Sequence, residues 1–498
     1  MQQRDHETST KKRTRRSKKS HRGMAALKRL GGEQNMRKGN RRRSRREAHK
    51  LQLKLPSKQV KPEVEFQSGV ATTKRKAGCA LRERLNFCVL DTTGMAVPSC
   101  AHGPCLLFGR RSTSGEIAER FFGCAVYRSN ICDFRLPLED TSGVASSSLQ
   151  RGPISCKETP KFHYGKIRKS VNRLVASGAS LYYCADCNDA VSVPHKDPVV
   201  GPLKYAAFRR PTHLIKAVLD DGGEAQYWFI RDCLHVIANA LTKNGCDGVL
   251  CIGVPTLFEH FRCTAQRRAS IKSFLLDLDS RFSAFYLSSQ FAQFSMLTNY
   301  FYDPASSAKL KAFLTSVNHL AIVCDPPFRV IVEPLFTAIN QIKQTFEKLH
   351  FKEGCQANLL LVLPVFVAKH VKQCQSGMEI VDYKVCYTNH SKYTKAEKSV
   401  VRIFTDFPLS SFVLPSESGY RFCEMCERYV SAENRHCGLC GICPSKDGSP
   451  YHHCDLCNRC VKDSYRHCRA CKRCHLVGRC LLYTNSLSNE ETVGDSYI

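Results

Sequence analysis

Nowhere in its 498 residues does the chain hold an uninterrupted apolar stretch approaching the ~20 residues of a membrane-spanning helix, so no bilayer passage is expected. The amino terminus is polar and basic, with no apolar segment behind its charges, and no secretory signal is read there. Acidic residues are scarce: 44 Asp and Glu stand against 75 Lys and Arg, a formal net charge of +31. A surplus of that size exceeds what solubility requires and draws polyanions by counterion release and long-range steering. Nucleic acid is therefore the expected partner. An acidic membrane surface would feel the same charge, but without a spanning segment no membrane partner is expected.

Cysteine, by contrast, is abundant at 29 residues. Most fall in C-x-x-C pairs or beside histidine, a spacing that suits tetrahedral zinc and does not suit a disulfide between sequence neighbours. The pattern implies a reducing, intracellular compartment. Residues 1–62 hold Lys and Arg in runs such as Lys11-Lys12-Arg13 and Arg41-Arg42-Arg43 with very few large apolar side chains. Such an arm cannot bury enough surface to fold alone. It suits nuclear or nucleolar targeting and nonspecific RNA contact, or a plain spacer, with the cytoplasm as a further location.

The remaining chain divides by composition into a small cysteine-bearing module at 92–138, a C-x-x-C segment at 180–200, a long globular region at 211–416 and a Cys/His-rich region at 420–480. In the globular region short apolar runs alternate with helical patterns, the signature of an α/β fold with a parallel sheet covered on both faces. The expected strands are Val249–Gly253, Phe274–Asp277, Leu320–Cys324, Leu359–Leu363 and Val400–Phe404. Gly253 closes the first, Asp277 the second, and Asp325 follows the third, which puts all three where open α/β sheets bind ligands.

The sharpest motif is Asp325-Pro326-Pro327-Phe328, directly after the apolar run Leu320–Cys324. Two prolines fix φ and present carbonyls without competing N–H donors. The Asp325 carboxylate and the Pro326 carbonyl can together accept both hydrogens of an exocyclic amine, while Phe328 offers a face on which a base could stack. A strand ended by a Pro-Pro pair is the bland alternative. The cofactor side is weaker, because no G-x-G repeat accompanies Cys251-Ile252-Gly253-Val254-Pro255. Asp277 is placed to accept from ribose hydroxyls, with Asp279 as the competing choice. Gln226-Tyr227-Trp228-Phe229 combines an amide with aromatics that suit either packing or cofactor contact.

Cys100, His102, Cys124 and Cys132 are the ligands expected in the first module, with Cys105 as a substitute. Phe121 and Phe122 beside Arg110, Arg111 and Arg120 suggest a stacking surface interleaved with charge. Cys184 and Cys187 form another pair, with His195 a third ligand and no evident fourth. The Cys/His-rich region repeats His-Cys-x-x-Cys-x-x-Cys three times: His436, Cys437, Cys440, Cys443; His453, Cys454, Cys457, Cys460; His467, Cys468, Cys471, Cys474. Cys423, Cys426, His475 and Cys480 complete sixteen ligands, enough for four tetrahedral ions in interleaved sites.

The tetrad at 325–328 resembles the [Asp/Asn]-Pro-Pro-[Phe/Tyr/Trp] signature of amino-group methyltransferases, and Cys100-x-His102-Gly103-Pro104 with its ribbon resembles a GRF-type zinc finger. Taken in order with the C-terminal repeats, the chain is similar from about 92 to 480 to the zinc finger CCHC-domain methyltransferases of large-subunit ribosomal RNA. Further carriers are Gln226-Tyr227, Leu275-Leu276-Asp277, Val332-Glu333-Pro334-Leu335, Val401-Arg402-Ile403-Phe404-Thr405 and Gly419-Tyr420-Arg421-Phe422-Cys423. The resemblance implies a Rossmann-like class I core with flanking zinc modules, S-adenosyl-L-methionine and several Zn2+ ions, adenosine N6 of ribosomal RNA as the target, and ribosome-assembly proteins as partners. It implies a cofactor site lined by Gln226 to Phe229, Thr256, Asp277, Ser295, Met296 and Asp325. The chain departs from the family where two glycines after the tetrad are replaced by Arg329 and Val330, and where His195 lacks a second histidine near Pro198. Lysine and glutamine methyltransferases use close variants of the tetrad, so a protein substrate is the alternative. A degenerate, non-catalytic assembly factor is the other.

Overall fold

The computed structural model describes residues 87–112, 114–125, 132–138, 162–193, 199–219, 225–264, 271–350, 354–445 and 447–480. The basic arm and His195 lie outside them. No helix among the described residues is long and apolar enough to cross a membrane.

The core is an eight-stranded sheet of β1 (Gly248–Ile252), β2 (Lys272–Asp277), β3 (Phe291–Ser295), β4 (Tyr300–Phe301), β5 (His319–Cys324), β6 (Gln356–Pro364), β7 (Glu379–Val381) and β8 (Val401–Thr405). Its order is β4-β3-β2-β1-β5-β6-β8-β7. The pairings from β3 through β6 are parallel, while β4, β7 and β8 pair antiparallel with their neighbours. Every residue of β1 is buried. This is what a parallel strand covered on both faces requires, and it is why the strand reads as a continuous apolar run.

Alternation along the strands divides that burial between two cores. Val249, Cys251, Leu275, Ala321, Val323, Leu360 and Val362 face one core with helices α1 (Arg231–Lys243) and α2 (Pro255–Thr264). Leu250, Ile252, Phe274, Leu276, Leu320, Ile322 and Cys324 face the other, with α3 (Ser306–Thr315), α4 (Val332–Leu349) and α5 (Ala368–Cys374). In α4 the buried residues Val332, Leu335, Phe336, Ile339, Ile342 and Phe346 recur at helical spacing. The five strands expected from sequence are all present; β3, β4 and β7 were not anticipated. β4 and β7 are too short to carry a period, and β3 shows no turn signal at its start.

The strand order reverses between β1 and β5, whose carboxyl ends lie side by side with Ile252 opposite Cys324. That is the topological switch point, where a crevice forms and ligands bind. Gly253 and Asp325 sit directly above it, tied together by the Asp325 N–H donating to the Ile252 carbonyl at 3.1 Å.

The small modules are docked on this core. In the first, Leu106–Arg111 and Ile117–Gly123 form the centre of a four-stranded antiparallel sheet. Phe121 is 0% and Phe122 4% exposed; Phe122 fills the module's cysteine-lined interior and Phe121 the opposite face, in a cluster with Ile331 of the core, so the expected stacking surface is not made by them. The Tyr302 hydroxyl donates to the His102 carbonyl at 2.7 Å, joining module to core. The tail is joined at the sheet's antiparallel edge. Arg402 of β8, only 1% exposed, donates through Nη2 to the Asp447 carbonyl at 3.2 Å. Asp382, just past β7, accepts from the Ser431 N–H at 3.2 Å and the Asn434 amide at 2.8 Å.

Candidate active site and metal centres

A cavity of about 410 Å³ opens at the switch point, a size that suits a small-molecule site. Its wall contains Gln226, Tyr227, Trp228, Gly253, Asp277, Ser295, Met296, Asp325, Pro326 and Pro327. Most of the expected cofactor and catalytic residues therefore meet around one space. Three do not line it. Phe229 is buried behind the wall against Tyr387, with ring centroids 5.4 Å apart. Thr256 lies buried in the first turn of α2, where its neighbour Pro255 reaches the cavity instead. Phe328 packs on Tyr227, centroids 5.6 Å apart and stacked, within a cluster that includes Tyr387, His390 and Tyr393.

Gly253 has φ +66°, and a side-chain carbon there would come within 3.1 Å of the Asp325 carbonyl and 3.2 Å of the Met296 methyl. Both the left-handed backbone and the closeness of the next strand's turn demand glycine.

Asp277 and Asp279 both face the cavity, but they are differently engaged. Asp279 is held by Arg281, whose Nη2 donates at 2.7 Å, and by the Gln226 amide at 3.0 Å. Asp277 accepts from backbone alone, from the Asp279 N–H at 2.9 Å and from Leu278, and keeps acceptor capacity toward the cavity. Burial, reinforced by the Asp279 charge, raises its carboxyl to about 7. Gln226 is fixed at five points: its side-chain carbonyl accepts from the Val218 N–H at 3.0 Å and from Arg281 at 3.4 Å, its amide donates to Asp279, its main-chain N–H donates to the Val218 carbonyl at 2.7 Å, and its main-chain carbonyl accepts from Asn389 at 2.9 Å.

Asp325 accepts from the Tyr387 hydroxyl at 2.9 Å through one oxygen. Burial pushes its carboxyl well above the ordinary value, and the Tyr387 bond works against that shift. Tyr387 and Asn389, which braces Trp228 by accepting its N–H at 2.8 Å, were missed in the sequence. They lie on the irregular chain between β7 and β8. Their signal was an aromatic-rich run, Tyr383 to Tyr393, that has no strand-end or spacing pattern to single it out.

Among the described residues the cysteines form five tetrads, each of three cysteines and one histidine, with ligand atoms within 4.8 Å of one another. They are Cys100, His102, Cys124, Cys132; Cys423, Cys426, His436, Cys443; Cys437, Cys440, His453, Cys460; Cys454, Cys457, His467, Cys474; and Cys468, Cys471, His475, Cys480. In the tail each C-x-x-C closes on a later histidine and cysteine, the interleaving expected from the repeat. Cys105 is left out of the first tetrad, its thiol pushed up to about 12 by burial and then by Cys100.

Zn–S near 2.3 Å and Zn–N near 2.0 Å in a tetrahedron require edges of roughly 3.6–3.8 Å. The observed edges scatter around that range, from 3.2 Å for Cys426 Sγ to His436 Nδ1 and Cys457 Sγ to His467 Nδ1, through 3.6 Å for Cys457 Sγ to Cys474 Sγ and 3.8 Å for Cys468 Sγ to Cys480 Sγ, to 3.9 Å for Cys460 Sγ to His453 Nδ1. All are far beyond a disulfide bond.

Cys184 is buried and Cys187 exposed, with His195 outside the described residues. Their local backbone nonetheless repeats that of the tail. Cys184 pairs across a hairpin with Asp189, as Cys423 does with Arg428 and Cys454 with Arg459, and Asn188, Glu427 and Asn458 each follow the second cysteine with positive φ.

A family model described as "Probable N6-adenine methyltransferase" matches residues 220–408, the stretch containing the cavity. The rRNA N(6)-adenosine-methyltransferase ZCCHC4 of Homo sapiens is 31% identical over 390 residues, covering 75% of this chain and 76% of that protein. Its Xenopus laevis counterpart is 33% identical over 365 residues, covering 70% and 73%. The Bos taurus protein is 33% identical over 362 residues, covering 68% and 70%. With a Rossmann-like core, an Asp-Pro-Pro-Phe turn at its switch point and relatives matched along most of their length, the chain belongs to the ZCCHC4-type rRNA N6-adenosine methyltransferase family.

Proposed function

We propose that this protein methylates the N6 amine of an adenosine in large-subunit ribosomal RNA, using S-adenosyl-L-methionine. The carrying observation is the placement of Asp325 and Pro326 on the wall of the same cavity as Asp277, Gln226 and Gly253. The cofactor fits this donor set: Asp277 is a buried carboxylate with acceptor capacity left for ribose hydroxyls, and Gly253 leaves open the room a side chain would fill. Ser295, Met296 and Trp228 complete the enclosure, with Phe229 and Thr256 supporting it from behind. When bound, the cofactor supplies an electrophilic methyl group.

The protein's own part is positioning. Tyr387 occupies one oxygen of Asp325, which leaves the other to accept from the target amine, and the Pro326 carbonyl takes the second hydrogen. Held at both hydrogens, the amine directs its lone pair into the cavity, a gain from orientation and electrostatics that needs no strong base. Pro327 keeps the turn from offering an N–H that would compete. Phe328 acts through the aromatic cluster it joins with Tyr227, His390 and Tyr393, whose packing sets the edge of the base site.

The five tetrads are zinc sites in this reading, and the Cys184–Cys187 hairpin, with His195, is a sixth half-built on the same backbone plan. The domains at 92–138, 180–200 and 420–480 present RNA to the core at 211–416, with the arm at 1–62 adding nonspecific attraction. Ribosome-assembly proteins as partners and a nucleolar location accord with that substrate. Incubation with labelled cofactor and either ribosomal RNA or ribosomal proteins tests the reading. Label is expected in RNA as N6-methyladenosine; label in protein alone would favour the lysine or glutamine alternative.

A further inference from the structure

A second cavity, of about 300 Å³, has no part in the site described above. It lies between the helix Lys166–Ala176, the turn at Tyr205–Arg209, the last turn of α2 and the Phe285–Tyr286 corner. Its floor is apolar, made by Ile167, Val171, Phe208 and Phe285, all buried. Its polar lining is basic: Arg168, Arg209 and Arg262, with no carboxylate among the residues that face it.

The three arginines are unbalanced. The Arg262 guanidinium lies over the rings of Phe258 at 5.5 Å and Tyr286 at 5.3 Å, and among the described residues it donates to no oxygen. Arg168 likewise has no hydrogen bond or ion pair among the described residues. Arg209 spends one donor on the Arg262 carbonyl at 2.8 Å, which brings the cations together. The nearby acid, Glu259, is committed elsewhere, accepting from the Thr212 N–H at 2.8 Å and hydroxyl at 2.6 Å. Arg262 is half-buried while Arg168 and Arg209 are exposed, so an anion entering from solvent meets guanidinium donors that no carboxylate among the described residues has claimed.

We infer that this pocket holds a backbone phosphate of the RNA substrate, outside the nucleotide that is methylated. The inference rests on the RNA reading above but concerns a different site. Helix α2 links the two: Pro255 at its start lines the cofactor cavity and Arg262 in its last turn lines the arginine pocket. Seven residues of helix separate them by roughly 10 Å, a distance one RNA strand can bridge. Tyr205, 48% exposed at the rim, offers a ring to an adjoining base. Arginine forks on an apolar floor match phosphate oxygens in two-point geometry better than a lone lysine would.

The test compares full-length wild type with Arg168→Gln, Arg262→Gln and the double variant, measuring binding to large-subunit ribosomal RNA from about 50 to about 300 mM salt. Arg168→Gln removes an exposed side chain with no hydrogen bond or ion pair among the described residues, so the variant is expected to fold. Each lost phosphate contact makes the log–log salt slope shallower by about 0.7 to 0.9. The double variant should lose that amount once, since both side chains meet the same phosphate, and each single variant part of it, with KM for RNA raised on the order of tenfold and cofactor affinity unchanged. Identical slopes in folded variants would overturn the proposal. So would binding of inorganic phosphate at the pocket with no change in RNA affinity, which would assign it to a small anion. A wild type that fails to bind ribosomal RNA would instead remove the reading on which the inference rests.

Discussion

At the scale of single residues, the account turns on carboxylates whose surroundings hold them near neutrality. Asp277 has its carboxyl raised to about 7 by burial and the Asp279 charge, against an unfolded value near 3.9. The native state therefore binds more protons than the unfolded chain between those values, and its stability falls as pH rises from about 4 to about 7. Ribose hydroxyls need the ionised form as acceptor, so cofactor affinity moves the opposite way, rising through pH ~7 and levelling above it. Calorimetric titration with S-adenosyl-L-methionine at pH 6, 7 and 8 should show that rise, and Asp277→Asn should flatten it. A wild-type affinity independent of pH would count against Asp277 as the ribose acceptor. The residues at strand ends were readable from sequence because position and chemistry coincided there. Tyr387 was not readable, since its bond to Asp325 spans 62 positions of chain and follows no period.

At the scale of elements, the tail is built into the sheet rather than strung after it. Asp382 and Arg402 are buried at the β7–β8 edge, and their partners Ser431, Asn434 and Asp447 belong to the first tail module. The tetrad Cys423, Cys426, His436 and Cys443 brackets Ser431 and Asn434 along the chain. Disrupting it takes from the buried Asp382 its Ser431 and Asn434 donors, a loss of about 3 kcal/mol. Cys426→Ser should therefore lower the thermal midpoint by on the order of 5 to 10 °C. Cys471→Ser, in the terminal tetrad, should lower it far less. Equal midpoints for the two variants would contradict the anchoring. The sequence repeat announced how many tetrads the tail holds and that they interleave. It could not announce this docking, because Asp382 follows a strand too short to read and its partners Ser431 and Asn434 lie about 50 positions away along the chain.

At the scale of the whole molecule, the first module reaches the cavity itself, while the tail is joined to the core at the sheet edge. Ala125 of the first module lines the cofactor cavity beside Leu297 and Ile331, and Tyr302 ties that module to the core. The tail, through Asp382, steadies the chain that carries Tyr387 to Asp325. Zinc loading and cofactor binding should then be linked: full-length protein treated with a strong chelator is expected to lose S-adenosyl-L-methionine affinity as well as RNA affinity. Cofactor affinity untouched by complete zinc removal would show the modules to be independent attachments.

The central claim is that the turn at Asp325 grips an adenosine amine of ribosomal RNA. Its most direct test is nucleoside mass spectrometry of large-subunit ribosomal RNA from cells lacking this protein, complemented with wild type or Asp325→Ala. Removal of one preorganised transition-state contact costs about a hundredfold or more in rate. The account predicts one N6-methyladenosine restored by wild type and absent with the folded, cofactor-binding variant; full restoration by Asp325→Ala, or no site that depends on the protein, would contradict it.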